Sequence, residues 1–366
     1  MPVRESASTR NTFASTFSPM RHLRSVGLVS AATLLTVGLA AGCAKTDDNS
    51  ANIVRTTTNI AGAGVVGIER DTSKACPLPT SPDSTSGTKT VDHASGTSEV
   101  PADPKRIVVL STSALDATCA LGLWERVVGA TTVAGPTPQP TYLGTGVALI
   151  PAVGPADSPD AAKIADLKPD LIIGPAADGN HYDALKAIAP TVLIGDENGW
   201  QATFSGFAEA MDRKTAGAKA LDDYRTAAHD TGVAANASLS QASVIRFDPN
   251  AIQVQGGNTF AAQVLGDAGV QRPQAQRGNS FEVTSLSTET ERNKLEGDVI
   301  FLMFNGPDGL KYGKSVMQSD NWKKLGAVTD RREFAVEDAI WHGSGITAAR
   351  ALLDDLRTNL NGYVGD

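Results

Sequence analysis

The sequence has no surplus of basic residues and few histidines. Its 366 residues include 32 lysines and arginines against 40 aspartates and glutamates, which gives a formal net charge of −8. Because nucleic acids are bound by basic surfaces, this balance argues against a nucleic-acid partner. A zinc or manganese site needs about three histidines and a carboxylate that converge on the ion. Of the five histidines, His22 precedes Cys43, His93 falls in a predicted linker and His229 at the end of a predicted helix. We therefore expect no resident metal and no cofactor.

Long hydrophobic runs are also scarce, and the longest lies near the N-terminus. Ser25–Leu39 is apolar or small, but about 15 such residues fall short of the ~20 that span a bilayer. The run follows the basic stretch Met20–Arg24 and precedes Leu39–Cys43, an arrangement typical of a secretory signal. An uncleaved membrane anchor is the weaker alternative. Without residues 1–42, which hold four arginines and one glutamate, the net charge becomes −11.

The cysteine at the end of this signal resembles that of a bacterial lipobox. The resemblance implies that Cys43 is lipidated and anchors the mature chain to the outer face of the cell membrane. Two of the three cysteines then remain, Cys76 and Cys119. In an oxidising extracytoplasmic setting we expect them to form a disulfide that pins the N-terminal extension to the first lobe. Two free buried thiols are the alternative.

Composition divides the rest of the chain into a tether and a globular body. Thr80–Ser98 is rich in Ser, Thr, Gly, Pro and Asp and predicts an exposed linker, whereas Ile60–Gly67 has small side chains and is expected to lie along the surface. The predicted parts are residues 1–42 (signal peptide), 43–100 (tether, surface extension and linker), 101–202 (N-terminal lobe), 203–236 (long linking helix) and 237–366 (C-terminal lobe).

Both halves of the globular body alternate short apolar runs with helical patterns, which predicts two lobes built from parallel α/β units. The predicted strands are Arg106–Leu110, Lys168–Gly174, Ser243–Phe247 and Glu296–Leu302, and the predicted helices include Leu115–Leu123 and Ala261–Gly266. Between the lobes, Thr203 to Asp230 has apolar residues at helical spacing and no proline. This predicts one continuous helix of roughly 27 residues, ~40 Å long. So stiff a connection allows the lobes to rock only slightly.

Five segments in this order resemble those of the helical-backbone (class III) periplasmic substrate-binding proteins. They are Pro104–Leu110, Ala120–Leu123, Val127–Gly129, Ile164–Ile173 and Ile188–Val192. With the lipobox and the extension that holds Cys76, the chain is most similar to the FecB-type iron-siderophore lipoproteins of mycobacteria and their relatives. The resemblance implies an α/β fold of two Rossmann-like lobes joined by one long helix, with a ligand cleft between them. It also implies a monomeric, non-enzymatic protein that captures a ferric siderophore for an ABC-type importer, with haem or cobalamin as alternative ligands.

Members of this family usually carry one surface acid on each lobe that meets arginines of the permease. In the first lobe the family glutamate corresponds to Ala162, and the nearest acid is Asp160. In the second lobe Glu289 and Glu291 lie close to the expected place. Either Asp160 substitutes for the missing glutamate, or docking differs from the usual kind.

Parallel α/β sheets bind ligands at the carboxyl ends of their strands. Aromatic walls with one or two arginines suit a broad, anionic ferric chelate. Arg246 follows a buried strand, where an unpaired guanidinium is costly, so we expect it to meet an anion. The predicted ligand residues are Ser111, Thr112, Tyr142, His181 and Tyr182 of the loop Asp178–Tyr182, Trp200, Arg246, Asn258, Arg277, Asn305, Trp341 and His342. Phe260 lies near this set, with core packing as its alternative role.

Haem requires an axial histidine or tyrosine, and His181, Tyr182 and His342 are the candidates. Simple surface exposure is the alternative for each histidine. A secreted serine hydrolase would instead place its serine in Gly-x-Ser-x-Gly, a spacing that Trp341–Gly345 (Trp-His-Gly-Ser-Gly) lacks. We expect Ala339–Ile340 to end a strand, Trp341 and His342 to turn into the cleft, and Ser344 or Thr347 to cap the helix that follows.

Overall fold

The structure is a computed structural model that describes residues 58–133, 137–196 and 198–365. The predicted signal peptide, residues 1–42, and the predicted lipidation site Cys43 lie outside the described residues. Within the described ranges, no helix combines the length and the apolar character needed to cross a membrane.

Strands and helices alternate along the described chain, as the predicted α/β class requires. The strands are β1 (Asn59–Ile60), β2 (Ala63–Val65), β3 (Thr88–His93), β4 (Gly96–Pro101), β5 (Ile107–Val109), β6 (Val127–Thr132), β7 (Ala152–Pro155), β8 (Leu171–Pro175), β9 (Thr191–Ile194), β10 (Ala242–Asp248), β11 (Ala251–Val254), β12 (Phe281–Val283), β13 (Val299–Phe304) and β14 (Glu333–Ala335). The α-helices are α1 (Thr112–Ala120), α2 (Ala161–Asp166), α3 (Tyr182–Lys186), α4 (Trp200–Ala210), α5 (Lys214–Ala234), α6 (Phe260–Asp267), α7 (Glu289–Asn293), α8 (Gly306–Met317), α9 (Gly326–Thr329), α10 (Asp338–Trp341) and α11 (Ile346–Asn359).

The first lobe is built on a five-stranded sheet in the order β7-β6-β5-β8-β9, with all neighbours parallel. Side chains alternate between the two faces of a strand. Ile107 and Val109 of β5 therefore pack on the side of α1 and α4, whereas Val108 packs on the side of α2 and α3. Helices cover both faces, which is why β5 is apolar throughout.

The second lobe has a seven-stranded sheet in the order β1-β2-β14-β13-β10-β11-β12. The strands β10, β13, β14 and β2 run parallel, but β11 is antiparallel to both of its neighbours. The expectation of purely parallel units is wrong here. Only Pro249 and Asn250 join β10 to β11, and two residues can make a hairpin but not the crossover that a parallel pair needs.

The N-terminal extension is part of the fold rather than a surface strip. Strand β2 pairs in parallel with β14, and Ala63 is fully buried beneath it. The segment predicted to lie along the surface thus forms an edge of the second lobe's sheet. Its small side chains fit this position, because a Cβ at Gly64 would lie 3.2 Å from Val364.

Part of the predicted linker Thr80–Ser98 also folds, into the hairpin of β3 and β4. Ser98 Oγ donates to the carbonyl oxygen of Thr191 at 2.7 Å, and the Ala94 N–H donates to that of Leu193 at 2.9 Å. These bonds dock the hairpin beside β9 in the first lobe. The hairpin could not be predicted from the sequence because each of its strands has a single buried apolar residue, Val91 in β3 and Val100 in β4.

The bridge between the lobes is two helices, α4 and α5, not the single helix that was predicted. The break lies at residues 211–213, where Asp212 adopts a left-handed backbone with φ 55°. The Ser84 N–H donates to Asp212 Oδ2 at 2.8 Å, and the buried Arg213 guanidinium donates to Asp103 Oδ1 at 2.5 Å. These partners lie far away in sequence, so helical periodicity could not reveal the break. Helix α5 alone has 21 residues, about 30 Å in length.

One hydrophobic core runs through both lobes. It contains Val109 from the first lobe, Phe204 and Tyr224 from the bridging helices α4 and α5, and Val244 and Phe301 from the second lobe. The lobes are therefore packed on a shared middle layer of helices. Rotating one lobe far from the other would expose this layer to water, which disfavours wide opening.

Cys76 and Cys119 form a disulfide, as predicted, with 4.6 Å between their Cα atoms. Cys119 is buried on α1. Since β2 belongs to the second lobe and the disulfide reaches α1 of the first, the extension ties both lobes together.

Replacing both cysteines, Cys76→Ser and Cys119→Ser, should lower the free energy of unfolding. The bond closes a loop with a sequence separation of 43, for which loop-closure entropy gives about 4 kcal/mol. Urea unfolding of the oxidised wild type and of the double variant measures the difference. The reduced wild type is the control and should unfold at the same urea concentration as the variant. Equal urea midpoints for the oxidised wild type, the reduced wild type and the variant would contradict a stabilising disulfide.

Candidate functional site

A cleft of about 550 Å³ lies between the two lobes, a size usual for small-molecule sites. The first lobe contributes Ser111, Thr112, Ser113, Val133 and Pro140, and the second contributes Phe304, Gly306, Pro307, Glu337, Asp338, Ala339, His342, Gly343 and Ser344.

The cleft lies where parallel strands end. Ser111 and Val133 follow β5 and β6, Phe304 ends β13, and Glu337 follows β14. Carboxyl ends of parallel strands meet at one edge of a sheet, the usual place for a ligand in α/β proteins. A hollow of about 620 Å³ around Gln241 lies at the opposite, amino end of β10. Topology therefore favours the cleft between the lobes.

The first-lobe wall is the start of helix α1. Ser111 Oγ accepts the Ala114 N–H at 3.1 Å and so caps the helix, and it lies 2.9 Å from Ser113 Oγ. Ser111, Thr112 and Ser113 are half-buried, so their hydroxyl groups can reach a bound molecule. The prediction that Ser111 and Thr112 reach the ligand remains a prediction, but the structure places both at the cleft.

The second-lobe wall contains an ion-pair network around Arg246. Its Nε and Nη2 donate to Asp338 Oδ1 and Oδ2 at 2.7 and 2.9 Å, and Nη1 donates to Asp248 Oδ1 at 3.3 Å. Asn305 Nδ2 also donates to Asp248 Oδ1, at 2.8 Å. The hydrogen bonds that Arg246 donates to the Asp338 carboxylate raise the pKa of Arg246. The anion that was expected to meet Arg246 is therefore a side chain of the protein itself.

His342 is exposed beside this network, at the C-terminal end of α10. Partial burial, and then the neighbouring Arg246 charge, lower the pKa of the imidazole. His342 is therefore mainly uncharged at neutral pH and can donate or accept a hydrogen bond in the cleft.

A hydrogen bond crosses the cleft margin from one lobe to the other. Thr141 Oγ1 of the first lobe donates to Glu337 Oε1 of the second at 3.0 Å. Because the lobes already touch here, the cleft exists before any ligand binds.

The aromatic residues predicted to wall the cleft are buried in the core instead. Trp341 is 1% exposed, packs on Phe301 at 4.4 Å between ring centroids, and donates its indole N–H to Asp355 at 2.9 Å. It lies on the helical turn α10, whereas the sequence predicted a strand end. Trp200 packs edge-on against Tyr224 and Phe260, at 4.9 and 5.6 Å. The glycines near each tryptophan had suggested exposed loops. Both side chains are buried instead, because each packs against aromatic rings that lie far away in sequence.

Two polar residues predicted for the site lie at the wrong edge of the second sheet. Asn258 follows β11, which runs antiparallel to β10, so its strand ends away from the cleft. Arg277 precedes β12, which is parallel to β10, and therefore lies at that same amino edge. Arg277 Nε donates to the carbonyl oxygen of Arg272 at 2.9 Å. The misplaced assignment follows directly from the unpredicted hairpin.

The candidate haem ligands are not brought together with His342. Tyr182 packs against His93 of the hairpin, with ring centroids 5.3 Å apart, and lines a separate hollow with Thr97 and Thr191. His181 is half-buried at the start of the same helix. Of the three candidates, only His342 is among the described residues that line the cleft.

Asp116 is the structural residue that the sequence reasoning missed. Its fully buried carboxylate accepts the N–H groups of Thr347 and Ala348, both at 2.9 Å, and the Tyr142 hydroxyl at 3.0 Å. Burial raises the pKa of Asp116, and these donors oppose that shift. Asp116 thus caps α11 across the lobe boundary. The N-cap residue is Gly345 rather than Ser344 or Thr347, and predicted site residue Tyr142 serves this cap.

Asp116 carried one visible signal, as the only charged residue in a helix of small and apolar residues. The partner was not visible, because Thr347 lies 231 residues further along the chain.

The predicted docking acids are near the surface. Asp160 is half-buried and caps α2 by accepting the N–H groups of Ala162 and Lys163, both at 3.1 Å. Glu289 is exposed in the first turn of α7, where Glu291 pairs with Lys294 at 2.7 Å. Helix α2 follows the carboxyl end of β7, at the cleft edge of its sheet, whereas α7 ends at Asn293, which lines the hollow around Gln241 at the amino edge.

Comparison with known proteins gives a consistent picture. The family model described as periplasmic binding protein matches residues 107–338. The probable siderophore-binding lipoprotein YfiY of Bacillus subtilis (strain 168) is 32% identical over 290 residues, which cover 75% of this chain and 88% of that protein. The petrobactin-binding protein YclQ of the same organism is 26% identical over 274 residues, which cover 72% of this chain and 84% of YclQ.

Among solved structures, Staphylococcus aureus SirA complexed with staphyloferrin B superposes with a TM-score of 0.65 at 25% sequence identity. The match covers 76% of this chain and all of SirA (100%).

Replacing Asp116 should destabilise the protein far more than replacing another helix-capping aspartate. Asp116→Ala leaves two N–H groups and the Tyr142 hydroxyl buried without an acceptor, at about 1–3 kcal/mol each. We expect a loss of at least about 3 kcal/mol in the free energy of unfolding. Asp160→Ala is the matched control, because Asp160 also accepts two backbone N–H groups but is only half-buried, whereas Asp116 is fully buried, and about 1 kcal/mol is expected. Urea denaturation compares the two; similar losses would refute the importance of the buried cap.

Proposed function

This chain belongs to the periplasmic binding protein family, and on that premise we propose that it captures a ferric siderophore outside the cytoplasm. We propose further that it is anchored by a lipid on Cys43 and delivers its ligand to an ABC-type importer. The observation that carries the proposal is the cleft of about 550 Å³ walled by both lobes. YfiY is named for siderophore binding and SirA is described with a bound siderophore, which supports the same ligand class for this chain.

The cleft offers two kinds of contact to a chelate. Hydroxyl groups of Ser111, Thr112 and Ser344 can bond to ligand oxygens, and Val133 and Phe304 offer apolar surface to the organic arms. The bond between Thr141 and Glu337 holds the lobes together at the margin before binding. Since little rearrangement is then needed, affinity comes from a largely preformed site.

Haem is the alternative ligand, and His342 in the cleft wall is the observation in its favour. We rank haem below a siderophore because Tyr182 lies against His93 in another hollow. No catalytic role is proposed for Ser344, which belongs here to a binding wall.

Filling the cleft should abolish ligand binding without unfolding the protein. Ser344 is half-buried at the cleft, so Ser344→Trp places a large ring where the chelate would sit. We expect affinity for ferric hydroxamate, ferric catecholate or haemin, whichever the wild type binds, to fall by about 100-fold or more. Isothermal titration calorimetry measures affinity, and thermal unfolding checks the fold.

The matched control is Ala187→Trp, which fills the hollow around Tyr182 instead and should leave affinity unchanged. If Ala187→Trp abolished binding and Ser344→Trp did not, the ligand site would be the hollow and not the cleft. Ester hydrolysis that depends on Ser344 would contradict the assignment as a binding protein.

We also propose that Asp160 and Glu289 form the permease-docking pair, one acid on each lobe. Their support is that Glu289 is exposed, that the half-buried Asp160 follows β7 at the cleft edge of its sheet, and that one acid belongs to each lobe. Glu291 is less suited, because its carboxylate already pairs with Lys294.

Reversing both charges, Asp160→Lys with Glu289→Lys, should reduce uptake and spare binding. Rim charges of this kind govern association with a partner, so we expect cellular uptake of the radiolabelled ferric chelate to fall roughly tenfold. Calorimetry on the purified variant should give the wild-type affinity. Asp223→Lys on α5 is the control for charge reversal alone; normal uptake by the double variant would exclude these acids from docking.

A further inference from the structure

Taking the cleft as the ligand site of the proposed function, we propose that it selects ferric chelates without net negative charge. Neutral or cationic complexes, such as those of trihydroxamates, should bind in preference to anionic catecholate or carboxylate complexes. The chain would then obtain its specificity from the charge of the cleft wall.

The charged side chains that line the cleft are acidic. Glu337 and Asp338 are both half-buried there. Of the described lining residues, none is a lysine or an arginine.

The nearest cation is already neutralised. Arg246 meets both oxygens of Asp338 and one oxygen of Asp248, and its side chain is 15% exposed. One positive charge against two negative charges leaves this network at a formal −1, and Glu337 makes the wall −2. An anionic ligand could reach the guanidinium only by displacing Asp338, whose carboxylate would then face the ligand unpaired.

The helix N-termini and the histidine at the cleft also add little positive potential. Helices α1, α8, α10 and α11 begin there, and a free helix N-terminus attracts anions. Helix α10 has Asp338 in its own first turn. Ser111 caps α1, and Asp116 accepts the first N–H groups of α11. Helix α8 has Asp308 in its first turn. Burial and Arg246 lower the pKa of His342, so the imidazole adds no charge at neutral pH.

A neutral ferric complex avoids this repulsion and still finds hydrogen-bond donors. A trihydroxamate complex presents carbonyl and N–O oxygens on a core without net charge. Ser111, Thr112, Ser113 and Ser344 offer hydroxyl groups, while Pro140 and Phe304 offer apolar surface to the linkers. A pendant ammonium on the ligand would gain from Glu337 or Asp338.

Three ferric chelates of different charge test the proposal in one assay: ferrioxamine E, which is neutral, ferrioxamine B, which is monocationic, and ferric enterobactin, which is trianionic. We expect both ferrioxamines to bind at least tenfold more tightly than ferric enterobactin. The gap should shrink when salt is raised from about 0.1 M to about 1 M, because the Debye length falls from ~10 Å to ~3 Å.

Glu337→Gln removes one charge and keeps an oxygen that can accept from Thr141. It should improve affinity for ferric enterobactin by roughly tenfold and change affinity for ferrioxamine E much less, because that complex carries no net charge. Glu282→Gln on β12, outside the cleft, is the control for net charge and should change neither affinity.

Each result decides between the two proposals. Ferric enterobactin binding as tightly as the ferrioxamines, or Glu337→Gln behaving like Glu282→Gln, would overturn charge selection and leave siderophore capture intact. Failure of all three chelates to bind would overturn the proposed function and the charge selection with it.

Discussion

The geometry of the cleft depends on one buried carboxylate that belongs to one lobe and caps a helix of the other. Asp116 on α1 accepts the N–H groups of Thr347 and Ala348 at the start of α11. A carboxylate without partners in this position would be strongly unfavourable, so the two helices must keep their spacing for the cap to remain satisfied. The residues just before these helices, Ser111 and Ser344, lie on opposite sides of the cleft. The hydrogen bonds of Asp116, below the cleft, therefore fix the distance between its two walls.

Two further connections also hold the lobes in a fixed arrangement. The extension places β2 in the second lobe's sheet and reaches α1 through the disulfide of Cys76 and Cys119. The two lobes also share one core, in which the bridging helices contact each other through Trp200 of α4 and Tyr224 of α5. A protein held in this way selects ligands that fit its resting cleft, because wide closure around a ligand would break contacts that stabilise the fold.

The sequence revealed the features that depend on local periodicity. Apolar runs located β5, β8, β10 and β13, and the compartment suggested by the signal made the disulfide pairing predictable. It failed where a distant partner decides the outcome. Trp341 lies in the core because its ring packs on Phe301 and its indole N–H donates to Asp355. Asn258 lies at the far edge because a two-residue turn reverses β11. Of the site residues, Ser111, Thr112 and His342 could be placed at the cleft, since each follows a strand or a turn at the carboxyl edge.

The case of Arg246 shows how the missing partner changes the chemistry inferred for a site. From sequence, an arginine at the end of a buried strand indicates an anionic ligand, because the guanidinium needs a counter-charge. The structure supplies that counter-charge from Asp338 and Asp248. Once the cation is paired within the wall, the remaining acid, Glu337, determines what the cleft presents to a ligand. The same arginine that suggested an anion-binding site thus belongs to a wall that repels anions.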